Sequence, residues 1–185
     1  MKELSLNILD ITENSVKAGA SLTEIRIEET ERELTLTIRD DGSGMSEEVV
    51  QAVRNPFYTT RTTRKVGLGL PLLRLAAEQT GGSFSLTSST EKGNSGTVVT
   101  TQFDTKSIDC MPMGDIVSTV CTLIAGSPEI DFVFSDIDEG KESSVSLDTR
   151  QMREVLGEGI SLAEPEIQMW MSEYLKEQYE NQTEI

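Results

Sequence analysis

The chain has 185 residues, with 32 aspartates and glutamates against 16 lysines and arginines, no histidine, and a formal net charge of −16 at pH 7. That length accommodates one domain, or one domain and a modest appendage. The acidic excess lies mostly in the C-terminal half, which would repel a phosphate backbone and argues against a nucleic-acid role. No apolar run is long enough to cross a membrane and the acidic start is not a signal peptide, so a cytoplasmic protein is expected. Cys110 and Cys121 lack zinc or redox spacing and are expected to be buried, reduced thiols.

From Lys2 to Ala18 the series Leu4, Ile8, Ile11, Ser15 and Ala18 recurs at helical spacing, with Gly19 as a stop. Asn7, Asp10, Asn14 and Lys17 form a polar ridge on another face. Asp10 and Asn14 are one turn apart and therefore neighbours. This is either a solvated face, or a carboxylate and an amide placed to position a water and hold a hard cation. Ile25 and Ile27, then Leu34, Leu36 and Ile38, alternate with polar residues across a turn near Glu31-Arg32, which predicts a hairpin with one buried face. Asp40 continues the inward series, and a carboxylate there needs a partner. It is either a turn aspartate bonding its own Asp-Gly loop, or an acceptor for an amino group on a bound ring. Gly42 and Gly44 suit the second reading, because glycine lets a backbone approach a ligand closely.

Ser46 is placed to cap a short helix that stops at Asn55-Pro56. Phe57 to Val66 is threonine-rich and concentrates Arg61, Arg64 and Lys65 in an otherwise acidic chain. It feeds Gly67-Leu68-Gly69 and a helix opening near Leu70-Pro71, a combination that predicts an anion site. A surface loop whose charges merely offset acidic neighbours is the alternative. Gly81-Gly82 ends that helix, and strands follow at Ser83 to Ser89 and Gly96 to Phe103. Neither a P-loop nor a dinucleotide fingerprint is present.

Residues 1–106 carry net −3 and residues 107–185 net −13, which marks a boundary. Beyond it, Ile116, Val117, Val120, Leu123 and Ile124 make a helical stripe ended by Gly126. Ile130, Phe132 and Phe134 alternate as a strand that turns at Asp138-Glu-Gly-Lys towards a second one at Ser144 to Leu147. Asp148 is a cap for a helix to Leu156, and Pro165 opens a last helix with Ile167, Trp170, Met171, Tyr174 and Leu175 on one side. Past Tyr179 the chain is expected to fray. Five of the seven methionines lie in this half, either as core filling or as an adaptable docking surface.

Residues 1 to about 106 resemble the Bergerat (GHKL) ATP-binding fold of gyrase, heat-shock chaperone, histidine-kinase and mismatch-repair ATPases, closest to the histidine-kinase type. Leu9-Asp10-Ile-Thr-Glu-Asn14 is similar to their N box, Ile38-Arg-Asp40-Asp-Gly42-Ser-Gly44-Met45 to the G1 box, and Val66-Gly67-Leu68-Gly69-Leu70 to the G2 box. The resemblance implies ATP and Mg2+ as ligands. Asn14 would hold the metal, Asp10 would stand at the general-base position, and Asp40 would accept from the adenine amino group. Phe57, Arg61, Arg64 and Lys65 would belong to the ATP lid, the G2 amides would meet phosphate, and Thr97 would help to hold the adenine. Two residues depart from the pattern: Lys65 replaces a glycine, and the base is aspartate rather than glutamate. The implied fold is α+β, a two-layer sandwich of a mixed sheet with helices on one face, followed by a small α/β extension. Residues 1–106 would be the ATP-binding domain, and residues 107–185 an acidic partner-docking or regulatory unit. Lacking histidine, and with the N box close to the first methionine, the chain is expected to act in trans on a regulatory or substrate protein. It would do so either as a kinase or as an ATP-gated binding switch. No nucleic-acid or membrane partner is expected.

Overall fold

The computed structural model describes residues 3–54 and 68–184. Helix α1 (Leu4–Lys17) leads into strands β1 (Leu22–Glu29) and β2 (Glu33–Asp40), then helices α2 (Glu47–Arg54) and α3 (Gly69–Gln79), and strands β3 (Ser83–Ser89) and β4 (Gly96–Asp104). The second half adds α4 (Ile116–Gly126), β5 (Asp131–Asp138), β6 (Val145–Asp148), α5 (Thr149–Leu156) and α6 (Pro165–Glu180). All six strands form one sheet in the order β3-β4-β2-β1-β5-β6. The β1–β5 pair is parallel and the others are antiparallel, so the sheet is mixed and the fold is α+β.

The register explains the core. Leu86, Val99, Ile38, Ile25, Phe134 and Leu147 stand opposite one another in sequence, making one apolar row across all six strands. Each is no more than 4% exposed, and such burial contributes about 1.5–3 kcal/mol per side chain. Two residues further along the strands the row changes character, to Ser88, Thr97, Asp40, Thr23 and Phe132. The polar end of the sheet's buried face therefore lies where β2 and β4 meet. Helix α1 buries Leu4, Ile8, Ile11, Thr12 and Ser15. It packs against β2, α3 and α4, and α6 rests on α4 and β6. The C-terminal half thus extends the sheet from β1 and lines up a helix beside α1.

Several details differ from the sequence expectations. Asn7 does not share the exposure of its ridge; it is buried and donates through Nδ2 to the Glu3 carbonyl at 3.2 Å and towards Met111 Sδ at 3.9 Å. On α6 only Met171 and Leu175 enter the core, whereas Trp170 and Tyr174 remain 50% and 38% exposed. The segment beyond Tyr179 is tied down rather than frayed. Glu142 N–H donates to the Thr183 carbonyl at 3.0 Å, and Gln182 Nε2 donates to the Ser143 carbonyl at 2.9 Å. Cys110 and Cys121 are free but only half-buried, and burial pushes both thiols upward in pKa. At the two outer strands, side chains meet backbone groups. Arg54 donates to the Leu86 carbonyl of β3 at 2.7 Å, and the Gln178 amide both accepts from Ser146 N–H and donates to its carbonyl on β6, each at 3.0 Å. Among the described residues no helix is long and apolar enough to cross a membrane.

Candidate nucleotide site

The polar end of the sheet opens into a cavity of about 620 Å³ between α1, the loop after β2 and the start of α3. Ile11, Ile38, Met45, Val49, Leu70 and Val99 give it apolar walls. Asn14, Ser15 and Lys17 of α1, Asp40 of β2 and Thr97 of β4 supply its polar groups. Apolar walls with a few fixed polar groups are the usual character of a small-molecule site.

Asp40 bonds its own Asp-Gly loop, as the turn reading expects, and also lines the cavity. Its Oδ1 accepts from its own loop at Gly42 N–H, 2.9 Å away, and its Oδ2 accepts from Ser15 Oγ at 2.8 Å. An ionised carboxylate has about four acceptor positions, so two such bonds orient it and leave capacity for a ligand donor. The neighbouring Asp41 has a different task. Burial works against its charge, but hydrogen bonds from the Ser21 hydroxyl and the Leu22 and Ser21 amides outweigh it and hold the carboxyl below its usual range. Asp41 thereby clamps the start of β1, while Asp40 faces the cavity.

The loop after β2 is placed by close contacts. Ser43 N–H donates to the Ala18 carbonyl at 2.9 Å, and a Cβ on Gly42 would meet Ala18 Cβ at 2.9 Å. Gly44 has φ +70°, and a Cβ there would run into the Ser89 carbonyl. Met45 N–H donates to Ser88 Oγ at 2.8 Å; Ser88 Oγ lies 2.9 Å from the Gly96 carbonyl and 2.8 Å from Thr97 Oγ1. With Ser88 donating to Gly96, Thr97 donates to Ser88 and keeps its lone pairs for a ligand or water. At the start of α3, Gly69 packs directly on Asp10, whose carboxylate a Cβ would overlap.

Asn14, Asp40, Gly44, Met45, Leu70 and Thr97 therefore meet around one cavity, with Gly42 behind Asp40 and Asp10 against Gly69. Leu68 is 77% exposed and does not line it. Phe57, Arg61, Arg64, Lys65 and Gly67 lie outside the described residues. Sequence reasoning missed Ser15, Ser88 and the cavity face of Lys17. Ser15 is the one polar member of a buried helical series, which is the signal that could have marked it. No group of three or more histidines, cysteines and carboxylates suited to a metal occurs among the described residues. Asn14 lines the cavity, and an amide oxygen is a ligand type that Mg2+ accepts alongside waters and phosphates.

Comparisons with known proteins bear on the family and the fold. The model of the family described as histidine kinase-, DNA gyrase B-, and HSP90-like ATPase matches residues 2–107. The sensor histidine kinase YvrG of Bacillus subtilis is 33% identical over 96 residues, 49% of this chain and 16% of that protein. The tetrathionate sensor histidine kinase TtrS of Salmonella typhimurium is 33% identical over 97 residues, 52% and 16% respectively. The chain thus matches about a sixth of the length of these relatives. The Aquifex aeolicus MutL ATPase domain, solved in complex with ADP, has a TM-score of 0.51 at 17% identity, over 84% of this chain and 69% of that one. The N-terminal domain of a DNA repair protein gives 0.55 at 16%, over 86% and 58%. The fold likeness therefore extends past residue 107 into the C-terminal half.

Proposed function

Because this chain belongs to the histidine kinase-, DNA gyrase B- and HSP90-like ATPase family, we propose that its cavity binds ATP with Mg2+ and that the nucleotide lets it regulate or phosphorylate a partner protein in trans. The observation that carries this reading is Asp40, oriented by Ser15 and Gly42 at the polar end of an otherwise apolar cavity. A carboxylate there accepts from the exocyclic amino group of adenine, and Ile38, Met45 and Val99 supply apolar contact for a flat ring. Thr97, anchored through Ser88, offers a further acceptor at the same end. Asn14 would hold Mg2+, which neutralises phosphate charge when bound. Asp10 would take a proton from a hydroxyl or water, and Gly69 keeps space for its carboxylate. The basic residues Arg61, Arg64 and Lys65 would meet phosphates.

A non-catalytic reading, in which bound ATP lets the chain recruit a protein without phosphoryl transfer, rests on two residue facts: Lys65 stands where a glycine is usual, and the sequence holds no histidine. The discriminating experiment is Asp10→Asn, which removes basicity and keeps shape. Under the catalytic reading, single-turnover consumption of labelled ATP with a purified partner falls by about 10²–10⁴, with ATP affinity within a few-fold of wild type. Turnover at the wild-type rate takes Asp10 out of the chemistry and leaves the binding switch.

A further inference from the structure

A further concavity lies at the other end of the sheet, where β6, α5 and α6 enclose a groove of about 750 Å³. Leu147, Met152, Val155, Ile167, Trp170 and Tyr174 give it an apolar floor and walls. Val155 is 86% exposed, and Trp170 and Tyr174 stack with ring centroids 5.0 Å apart and planes 11° from parallel. A stacked, half-exposed tryptophan–tyrosine pair beside a cavity has the composition of a binding hot spot. Its surroundings decide what it takes. Glu166, Glu173 and Glu177 are exposed and recur at helical spacing along α6, on the solvent side of the aromatic stripe. The cations of the opposite wall are already paired, Arg150 with Asp148 at 2.7 Å and Arg153 with Asp131 at 2.9 Å. Lys176 lies towards Asp115 and Cys121 on the α4 side.

We propose that this groove docks a partner-protein segment whose apolar side chains are flanked by lysine or arginine. The apolar residues would enter between α5 and α6, and the basic ones would meet the glutamate ridge, which steers association and sets register. A second copy of this chain is a poor occupant, because at net charge −16 it would bring one glutamate ridge against another. The site is separate from the nucleotide cavity, so the proposal stands or falls independently of ATP.

Random peptides displayed on phage and panned against the full chain test it. The expected selection is for leucine, phenylalanine or tryptophan flanked by lysine and arginine. A selected tryptophan-free peptide should then blue-shift the fluorescence of Trp170, the only tryptophan in the chain, with affinity that falls as salt rises. Val155→Lys, at an exposed position that tolerates substitution, should abolish the shift. Glu166→Gln, Glu173→Gln and Glu177→Gln together should weaken binding at low salt by about threefold or more. Selection of acidic or uncharged peptides, no selection at all, or binding untouched by Val155→Lys overturns the proposal. So does a concentration-dependent dimer in sedimentation that buries Trp170, which would assign the groove to a second copy.

Discussion

Asp40 is oriented before any ligand arrives, and the two donors that orient it are separable. Ser15→Ala removes the Oδ2 partner, so ATP affinity should fall about three- to tenfold, the value of one ordinary hydrogen bond. Asp40→Asn should cost roughly 1.5–3 kcal/mol, about ten- to a hundredfold, and also erode discrimination against GTP. Calorimetric titration of both variants with ATP and GTP checks the order; an unaltered Ser15→Ala would mean that the Gly42 amide alone sets the carboxylate. Asn14→Ala should abolish the Mg2+ enhancement of nucleotide affinity and leave metal-free ADP binding nearly unchanged, which titration with and without Mg2+ reads directly. Asp40 and Asn14 were legible because strand alternation and helical spacing fix which way each one faces. Ser15 and Ser88 were not, because a small hydroxyl fits an apolar series and the turn of a polar strand equally well. Only the register that sets Ser88 beside Thr97 reveals its task.

At the scale of elements, three neighbours share one burden of negative charge. Asp136 of β5 is 7% exposed and accepts from the Tyr179 hydroxyl of α6 at 2.6 Å. Burial raises its carboxyl despite that bond, and Asp138 adds repulsion. Burial likewise raises Glu29 of β1, with Asp136 and Asp138 adding to the effect. The Tyr179 phenol is raised by burial and the adjacent carboxylates. A raised folded-state pKa means that the native chain holds protons more tightly than the unfolded one. For the two carboxyls this contribution to stability is therefore full below the ordinary carboxylate range and lost as pH climbs through the raised values. Asp41, Asp115 and Asp148, held low by hydrogen bonds, act in the opposite sense and lose their contribution as pH falls. Asp136→Asn keeps an acceptor for Tyr179 and removes the charge. Its melting temperature at neutral pH should exceed that of the wild type by a few degrees, since 1 kcal/mol moves a chain of this size by about 2–4 °C. The gap should close on acidification; a gap independent of pH would place the effect outside this cluster. The strands that build the cluster were readable from alternation, and Asp148 as the α5 cap was as well. The anchoring of residues 181–184 was not, because it depends on Lys141 and Glu142 returning from a distant turn.

For the whole molecule, the change in charge near residue 106 locates a change in surface chemistry, whereas the sheet runs on through it. The parallel pairing of β1 with β5 spans Leu22 to Glu29 against Asp131 to Asp138. A parallel partner leaves no local mark in a sequence, so this join could not be read in advance, although each strand could. Cutting the chain after residue 106 would uncover the β1 edge and the side of α1 that packs on α4. The intact protein should therefore melt in one calorimetric transition. Residues 1–106 alone should lose solubility or melt well below it. Two resolved transitions, with a truncated form as stable as the first of them, would show that the halves fold independently.

The two side chains that meet the outer strands also limit what the sheet can become. A six-stranded sheet has two open flanks, and each is a template on which a foreign strand can grow. Here Arg54 occupies a carbonyl of one flank, and the Gln178 amide imitates a peptide unit on the other. A strand added at either flank would have to displace these bonds. Gln178→Ala would reopen β6 and turn a sheet of fixed width into one that can template its own extension.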